Sequence, residues 1–541
     1  MKLFSNLLIT GYLITTNCLI AQNWTWAKKG GSIISDQAFS IAVDAAGNSV
    51  ITGAFYDSAS FGSTSIVSAG QTDIFVAKYD NNGNPLWLKR FGGATVDAGN
   101  KIALDNTGNV YVTGSFSDTK VPFGRDSLTA GNMTDVFVMK MDASGNPIWA
   151  RRSGQLGFIS DEGTAISVDV AGNVYVGGYF GGTMIWYKDT LKTAGSRDIF
   201  IGKYNKDGGA VWGRKAGGAD LDGLRDITLD AAGNIYSTGD FKGRCGFGTD
   251  SLNSVGTSDI FVAKHDSTGR YLWAKGFGGA KEDAGTAIKE RAGDVYITGG
   301  LQETATIGGF NIGGTDMSID ILVVKLKGND GSVTWAKCGG SMMEIDYGNG
   351  LALTSNGDCF VVGYSVKTST FGTITTTAAG LSDVVVINYD AAGNVRWAKN
   401  GGGSLGDFGQ AMAMDAANNI YVTGYFNGTA SFGSASITSA GQTDVFIAKM
   451  AITLATDNKI ENKNVSIYPN PVSREGKFYI QNNSTQLQQF EIYNSLGIKV
   501  LTNQVGIDGI VDLPNNLTSG LYTIKLIENE SVTWGKLVVV E

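Results

Sequence analysis

An all-β fold of repeated, stacked sheets is what this 541-residue sequence predicts. A segment built on Trp-Ala-Lys-x-Gly-Gly recurs with its tryptophan at Trp26, Trp87, Trp149, Trp212, Trp273, Trp335 and Trp397, each 61 to 63 residues after the last. A fixed period of this size is the signature of a solenoid or a propeller, in which no unit can bury its apolar face alone. Glycine supplies 76 residues, roughly twice average usage, against only six prolines. With no long polar tract, that glycine serves tight turns between short strands rather than disorder.

Four strands are expected in each copy of the repeat. In copy two they run Ile102–Asp105, Val110–Phe116, Val136–Met141 and Ile148–Arg152, all short and rich in strand-forming residues. Turns such as Asp44-Ala-Ala-Gly-Asn48 join the first two strands, and turns such as Asp80-Asn-Asn-Gly-Asn84 join the last two. Both are hairpin chemistry. The link from second to third strand is longer and carries Phe-Gly, as at Phe61-Gly62, Phe123-Gly124, Phe247-Gly248, Phe371-Gly372 and Phe432-Gly433. Runs such as Ile74-Phe75-Val76-Ala77 are apolar on both sides, which suits a sheet sandwiched between two neighbours. The middle of the first strand is small in most copies (Ala42, Ala103, Ser167, Thr228, Ala352, Ala413), which places that strand innermost, where sheets crowd at an axis.

The chain also opens with a lone tryptophan strand, Trp24–Lys28, while the last copy stops after Lys449 without one. The N-terminal strand can therefore complete the last copy and remove the open edges. The expected architecture is a seven-bladed β-propeller over residues 22–450. An open β-solenoid would leave the complementary termini unexplained. The segments patterned DAAGNVYVTGxF, DIFVAKYD, GNxxWAK and FGG, in fixed order over roughly residues 24–450, resemble the SBBP-type β-propeller repeats. That resemblance implies a fold and an extracellular setting, not a defined activity.

Outside the repeats, Lys2 precedes an apolar stretch ending near Ala21, which reads as a secretory signal peptide over residues 1–21. No other stretch approaches the roughly 18 apolar residues of a membrane helix. Residues 451–464 form a polar linker, and a different β pattern follows over 465–541. Its start, Tyr468-Pro469-Asn470-Pro471, with the Leu496-Gly497 turn and the Gly520-Leu521-Tyr522 strand, resembles a type IX secretion C-terminal sorting domain. The resemblance implies a small Ig-like β-sandwich that the secretion machinery recognises, with passage across an outer membrane to the surface or the medium.

Chemistry is constrained by what repeats. A single histidine, His265, stands where other copies have Tyr79, Met141, Tyr204 or Tyr389, so a histidine triad or a multi-histidine metal site is excluded. Cys245, Cys338 and Cys359 fall at different places in the repeat and make no disulfide framework. A net charge of -8 argues against a nucleic-acid partner. Two aspartates recur in every copy: Asp36, Asp97, Asp161, Asp222, Asp283, Asp346, Asp407, and Asp73, Asp135, Asp198, Asp259, Asp320, Asp383, Asp444. Sevenfold recurrence points to backbone hydrogen bonds that fix loops, with a cation-holding carboxylate ring around a channel as the alternative. No cofactor is expected.

Departures from the repeat are the candidate ligand contacts. Copy three replaces Phe-Gly by Trp186-Tyr187, where Tyr187 could stack on a sugar or peptide. Copy five replaces the small inner-strand residue by Lys289, followed by Glu290 and Arg291. The crossovers and the long second-to-third-strand links share one face, the one expected to carry a ligand. The expected function is non-catalytic binding or adhesion to a glycan or protein outside the cell. A structural surface component and a polysaccharide-cleaving enzyme are the alternatives.

Overall fold

A computed structural model describes residues 20–454 and 466–540, apart from 118–119, 132, 155–158, 187, 315–316, 474–475, 482–487, 495–498, 506–509, 514–516 and 529–530. Residues 1–19 of the expected signal peptide and most of the linker lie outside that set. The protein is all-β, and Gln22–Ile452 form one compact unit, with the C-terminal residues in a second. Among the described residues no helix is long and apolar enough to cross a membrane.

In the larger unit each copy of the repeat makes a four-stranded antiparallel sheet in sequence order, which gives a propeller-like arrangement. In copy two the strands are Ala98–Leu104, Val110–Phe116, Asp135–Met141 and Pro147–Ser153. The first strand thus starts four residues before the expected Ile102 and stops one short of Asp105. Ala98 and Gly99 lack strand-forming side chains but pair with Ser115 and Gly114 ahead of a bulge between Gly99 and Lys101. Glycine at 114 permits that approach, because a Cβ there would sit 1.9 Å from the carbonyl oxygen of Ala98.

The first strands follow one another around an axis: Gln37–Val43 touches Ala98–Leu104, then come Glu162–Val168, Gly223–Leu229, Ala284–Arg291, Tyr347–Leu353 and Asp407–Met414, which returns to Gln37–Val43. They enclose an axial cavity of about 380 Å³, lined by the small residues Ala42, Ala103, Ser167, Thr228, Ala352 and Ala413. Ile74, Phe75, Val76 and Ala77 are all buried, and alternate side chains join different apolar clusters, one on each side of the sheet. Each fully buried apolar side chain of this kind stabilises by about 1.5–3 kcal/mol relative to exposure.

The recurring tryptophan latches one sheet to the next. The indole N–H of Trp87 donates to the Ala143 carbonyl at 3.1 Å, Trp149 to Lys206 at 3.2 Å and Trp335 to Ala391 at 3.2 Å, each in the outer hairpin of the following copy. Copy seven supplies Asp407–Met414, Ile420–Phe426 and Asp444–Leu454, and the N-terminal strand Ile20–Gly31 pairs as the fourth member of that sheet.

In the C-terminal unit, Ser466–Tyr468, Lys477–Gln481 and Ile510–Asp512 form one sheet, and Val472–Ser473, Ser531–Val540, Gly520–Glu528, Gln488–Tyr493 and Lys499–Val505 form another. Phe478, Ile480, Phe490, Ile492, Ile524 and Leu537 build their shared core. Pro469 and Pro471 follow cis peptide bonds. Between them the Asn470 carboxamide acts as a piece of strand, donating to the Lys536 carbonyl at 2.8 Å and accepting the Val538 N–H at 2.8 Å. Tyr468 is exposed and stacks on Tyr479 at 5.3 Å.

Candidate binding site at the axial mouth

The two repeated aspartates meet at the junctions between copies. Members of the first set are buried and accept two backbone N–H groups, one from the preceding crossover and one from the end of the second strand. Asp283 takes Gly279 at 2.7 Å and Gln302 at 2.8 Å, and Asp222 takes Gly218 at 2.7 Å and Lys242 at 3.2 Å. In the second set Asp73 accepts Ala69, Asp198 accepts Ala194 and Asp383 accepts Ala379, at 2.8 to 3.0 Å. One aspartate of each set flanks a glycine of the Trp-Ala-Lys-x-Gly-Gly segment. A Cβ on Gly402 would stand 2.7 Å from Asp383 Cγ and 2.8 Å from Asp407 Oδ2. Burial pushes Asp283 up to about 6 and Asp407 up to about 7. Neither set lines the axial cavity, so the carboxylate ring around a channel does not form. The aspartate in the cavity wall is Asp226.

Of the residues singled out as departures from the repeat, Lys289 lines the cavity. Glu290 and Arg291 are not among its lining residues. Glu290 instead accepts the Gly293 N–H at 2.7 Å, and Arg291 is exposed in the hairpin. Trp186 is likewise no ligand contact. It is buried, packs 4.8 Å from Tyr204 and 5.8 Å from Phe200, and occupies the space over Gly202 and Gly213, so it offers no ligand surface. Tyr187 lies outside the described residues. His265 is buried beside Ser237 Oγ at 3.2 Å, and burial pushes its pKa down to about 3.

A different constellation stands where the first strands begin, on the face of the crossovers and long links. Here, in four copies, a residue at the start of the first strand pairs with one near the end of the second: Glu162 with Tyr179, Gly223 with Asp240, Tyr347 with Tyr364, Phe408 with Tyr425. These positions differ from copy to copy, and they give the mouth two unlike halves. On one side the Asn100 amide donates to Glu162 Oε1 at 2.8 Å, the Tyr179 hydroxyl donates to the same carboxylate, and the Arg197 guanidinium lies 4.1 Å over the Tyr179 ring. Arg225 Nε pairs with Asp240 Oδ1 at 2.7 Å. On the other side Phe408 packs 4.9 Å from Tyr364 and 4.9 Å from Tyr425. Tyr347 links the halves. Its ring crosses copy five over Gly300, where a Cβ would come within 2.4 Å, and it comes within electrostatic reach of Arg225. All these side chains are half-buried. Aromatic faces opposite mixed charged donors and acceptors can stack a sugar ring while hydrogen-bonding its hydroxyls. Sequence reasoning passed over this rim because it precedes the β-rich runs. Its only signal was variability within an otherwise regular repeat.

Residues 466–540 match the family model of the secretion system C-terminal sorting domain, and residues 86–115 match that of the beta-propeller repeat. The chain carries an SBBP propeller repeat and a C-terminal sorting domain. The sorting domain implies export by the type IX route, to the cell surface or beyond. An uncharacterized WD repeat-containing protein of Acanthamoeba polyphaga mimivirus is 24% identical over 512 residues, covering 74% of this chain and 36% of that protein. Regulatory protein FlaEY of Caulobacter vibrioides is 28% identical over 170 residues, covering 30% of this chain and 18% of FlaEY. The chain therefore spans well under two thirds of either relative. Among solved structures, the Neurospora crassa Pan2 WD40 domain aligns over 79% of this chain and 95% of its own, with TM-score 0.39 and 11% identity. Quinohemoprotein alcohol dehydrogenase from Comamonas testosteroni aligns over 79% and 76%, with TM-score 0.40 and 11% identity.

Proposed function

We propose that residues 22–452 form a closed seven-bladed propeller that, once exported, binds glycans without catalysis at its axial mouth, and that the sorting domain is an Ig-like sandwich serving as its export address. The circuit of first strands and the N-terminal strand in the sheet of copy seven support closure. The observation that carries the binding reading is the rim itself, with Tyr364, Phe408 and Tyr425 facing Glu162, Arg197 and Asp240 across the axis of the first strands. Sevenfold structural residues would repeat, whereas these do not.

Glycan-array binding of the mature protein, with a reducing-end assay alongside, tests this. A stacked ring contributes about 1 kcal/mol beyond its buried area. Tyr425→Ala should therefore weaken a rim ligand about fivefold, Arg197→Ala should weaken it similarly, and no reducing ends should accumulate. Binding indifferent to both substitutions would remove the rim from the site, and release of reducing ends would replace binding by cleavage.

A separate expectation concerns export. Because the two compact units are built from their own cores, a chain ending before residue 465 should fold its propeller but stay in the periplasm. Cell fractionation reads this directly. Normal yield of the truncated chain at the surface or in the medium would contradict the address role.

A further inference from the structure

We propose that the axial cavity is an anion subsite that takes the carboxylate of an acidic sugar residue. The assignment of the ligand as a glycan rests on the binding reading above. The cavity is set three to six residues further along the same first strands that carry the rim, and its volume of about 380 Å³ falls in the range of small-ligand pockets, about 300–1,000 Å³.

Three charged side chains from three different copies converge in its wall. Lys101 Nζ stands 2.9 Å from Asp226 Oδ1, and Lys289 Nζ stands 3.7 Å from Asp226 Oδ2. Asp226 is 1% exposed and also accepts the Ile288 N–H at 3.1 Å. Two cations therefore share one anion whose oxygens already hold a lysine and a backbone N–H. At 3.7 Å the second lysine is beyond hydrogen-bond distance, and its ammonium presents three donors. With its side chain 39% exposed, the second lysine stays solvated and open to a ligand of opposite sign.

The repeat shows that these charges are not needed to build the ring. At the place of Lys101 and Asp226 the other copies carry Ser40, Ala165, Ala287, Gly350 and Ala411, and at the place of Lys289 they carry alanine, serine or threonine. The same first strands form there with small residues. An ion pair that merely replaced packing would be complete with one lysine. The second makes the cavity net positive by one, which matches a single carboxylate. Ser167 and Thr228 add hydroxyls to the wall, as a polyhydroxylated ring with one acid group requires.

The test uses the mature full-length protein, titrated calorimetrically at constant ionic strength with galacturonate and glucuronate, and with galactose and glucose as neutral counterparts. At least one uronate should bind at least tenfold more tightly than its neutral sugar, and Lys289→Met should abolish that preference. Lys289 is the residue to change, because its side chain is 39% exposed and its contact with Asp226 is loose, whereas removing Lys101 would strip the close partner from a buried carboxylate. Acidic sugars that bind no better than neutral ones, or a uronate preference untouched by Lys289→Met, overturn the subsite. If neutral glycans still bind through the rim in that case, the binding-module reading stands and only the anion subsite falls. If neither class binds, both fall.

Discussion

A chain lacking residues 24–28 is expected to melt well below the intact protein, with the loss concentrated in copies six, seven and one. Trp24 is 4% exposed and meets Phe432 edge-on at 5.1 Å, while its indole N–H reaches the Asn400 carbonyl at 3.4 Å. Thr25 Oγ1 donates to the Lys449 carbonyl at 3.1 Å across the same strand pair. Removing this strand uncovers the outer edge of Asp444–Leu454 and the apolar cluster beneath it, including Phe432, Phe446 and Ala448. It also leaves an unpaired edge open to association. Trp24→Ala alone, a large-to-small change in a packed core, should cost about 3–5 kcal/mol. Circular-dichroism melts compare the deletion and Trp24→Ala with Ile33→Ser, a change at a residue 71% exposed nearby, which should leave the melt in place. An unchanged melting curve for the deletion would show that the ring does not depend on this strand.

Most of the sheet structure was legible because the tryptophan period fixes where each unit ends and the glycine turns fix where its hairpins close. What stayed hidden depended on pairing between residues far apart in sequence. Ala98 and Gly99 enter a strand only because Ser115 and Gly114 hold them. Glu162 and Tyr179 stand side by side at the mouth only because register places them there. Lys289 is visible because it interrupts a column of small residues, whereas Lys101 and Asp226 lie in a neighbouring column and come from copies two and four, so that only the closed circuit brings them to it. Trp186 was misread for a reason the sequence also contained. Copy three has Gly202 and Gly213 where other copies have residues such as Ala77 and Ala150. Those two glycines vacate the volume into which the larger ring packs, so the exchange of phenylalanine for tryptophan is compensated inside the sheet and signals no surface.

The stability of the protein is expected to be greatest near pH 4 and to decline as pH rises to about 7, an unusual sense for an acidic chain. Burial pushes Asp222, Asp283 and Asp444 up to about 6 and Asp407 up to about 7, from 3.8. A carboxyl whose folded pKa lies above its unfolded value binds its proton more tightly in the native state. Its contribution is fully present below about 3.8 and is lost as pH rises through 6 to 7. The opposite limb comes from turn aspartates such as Asp105, where burial is outweighed by hydrogen bonds from Asn109, Thr107 and Tyr111 that hold it down to about 2. That contribution is lost only as pH falls toward 2. The junctions differ in how their charge is answered. Lys215 stands 3.0 Å from Asp198, and Arg90 and Arg152 pair with Asp73 and Asp135, but the equivalent positions in copies four to six are Gly276, Cys338 and Asn400. Asp407 faces Asp383 in the last of these, with no cation at the Asn400 position. A shift of this size corresponds to roughly 4 kcal/mol between the two limits of pH. Asp407→Asn keeps the shape of the side chain and removes the ionisation, so its melting temperature should fall less between pH 5 and pH 8 than that of the parent. Melts taken across that range decide the matter, and parallel pH slopes for the two proteins would show that this buried pair does not govern the decline.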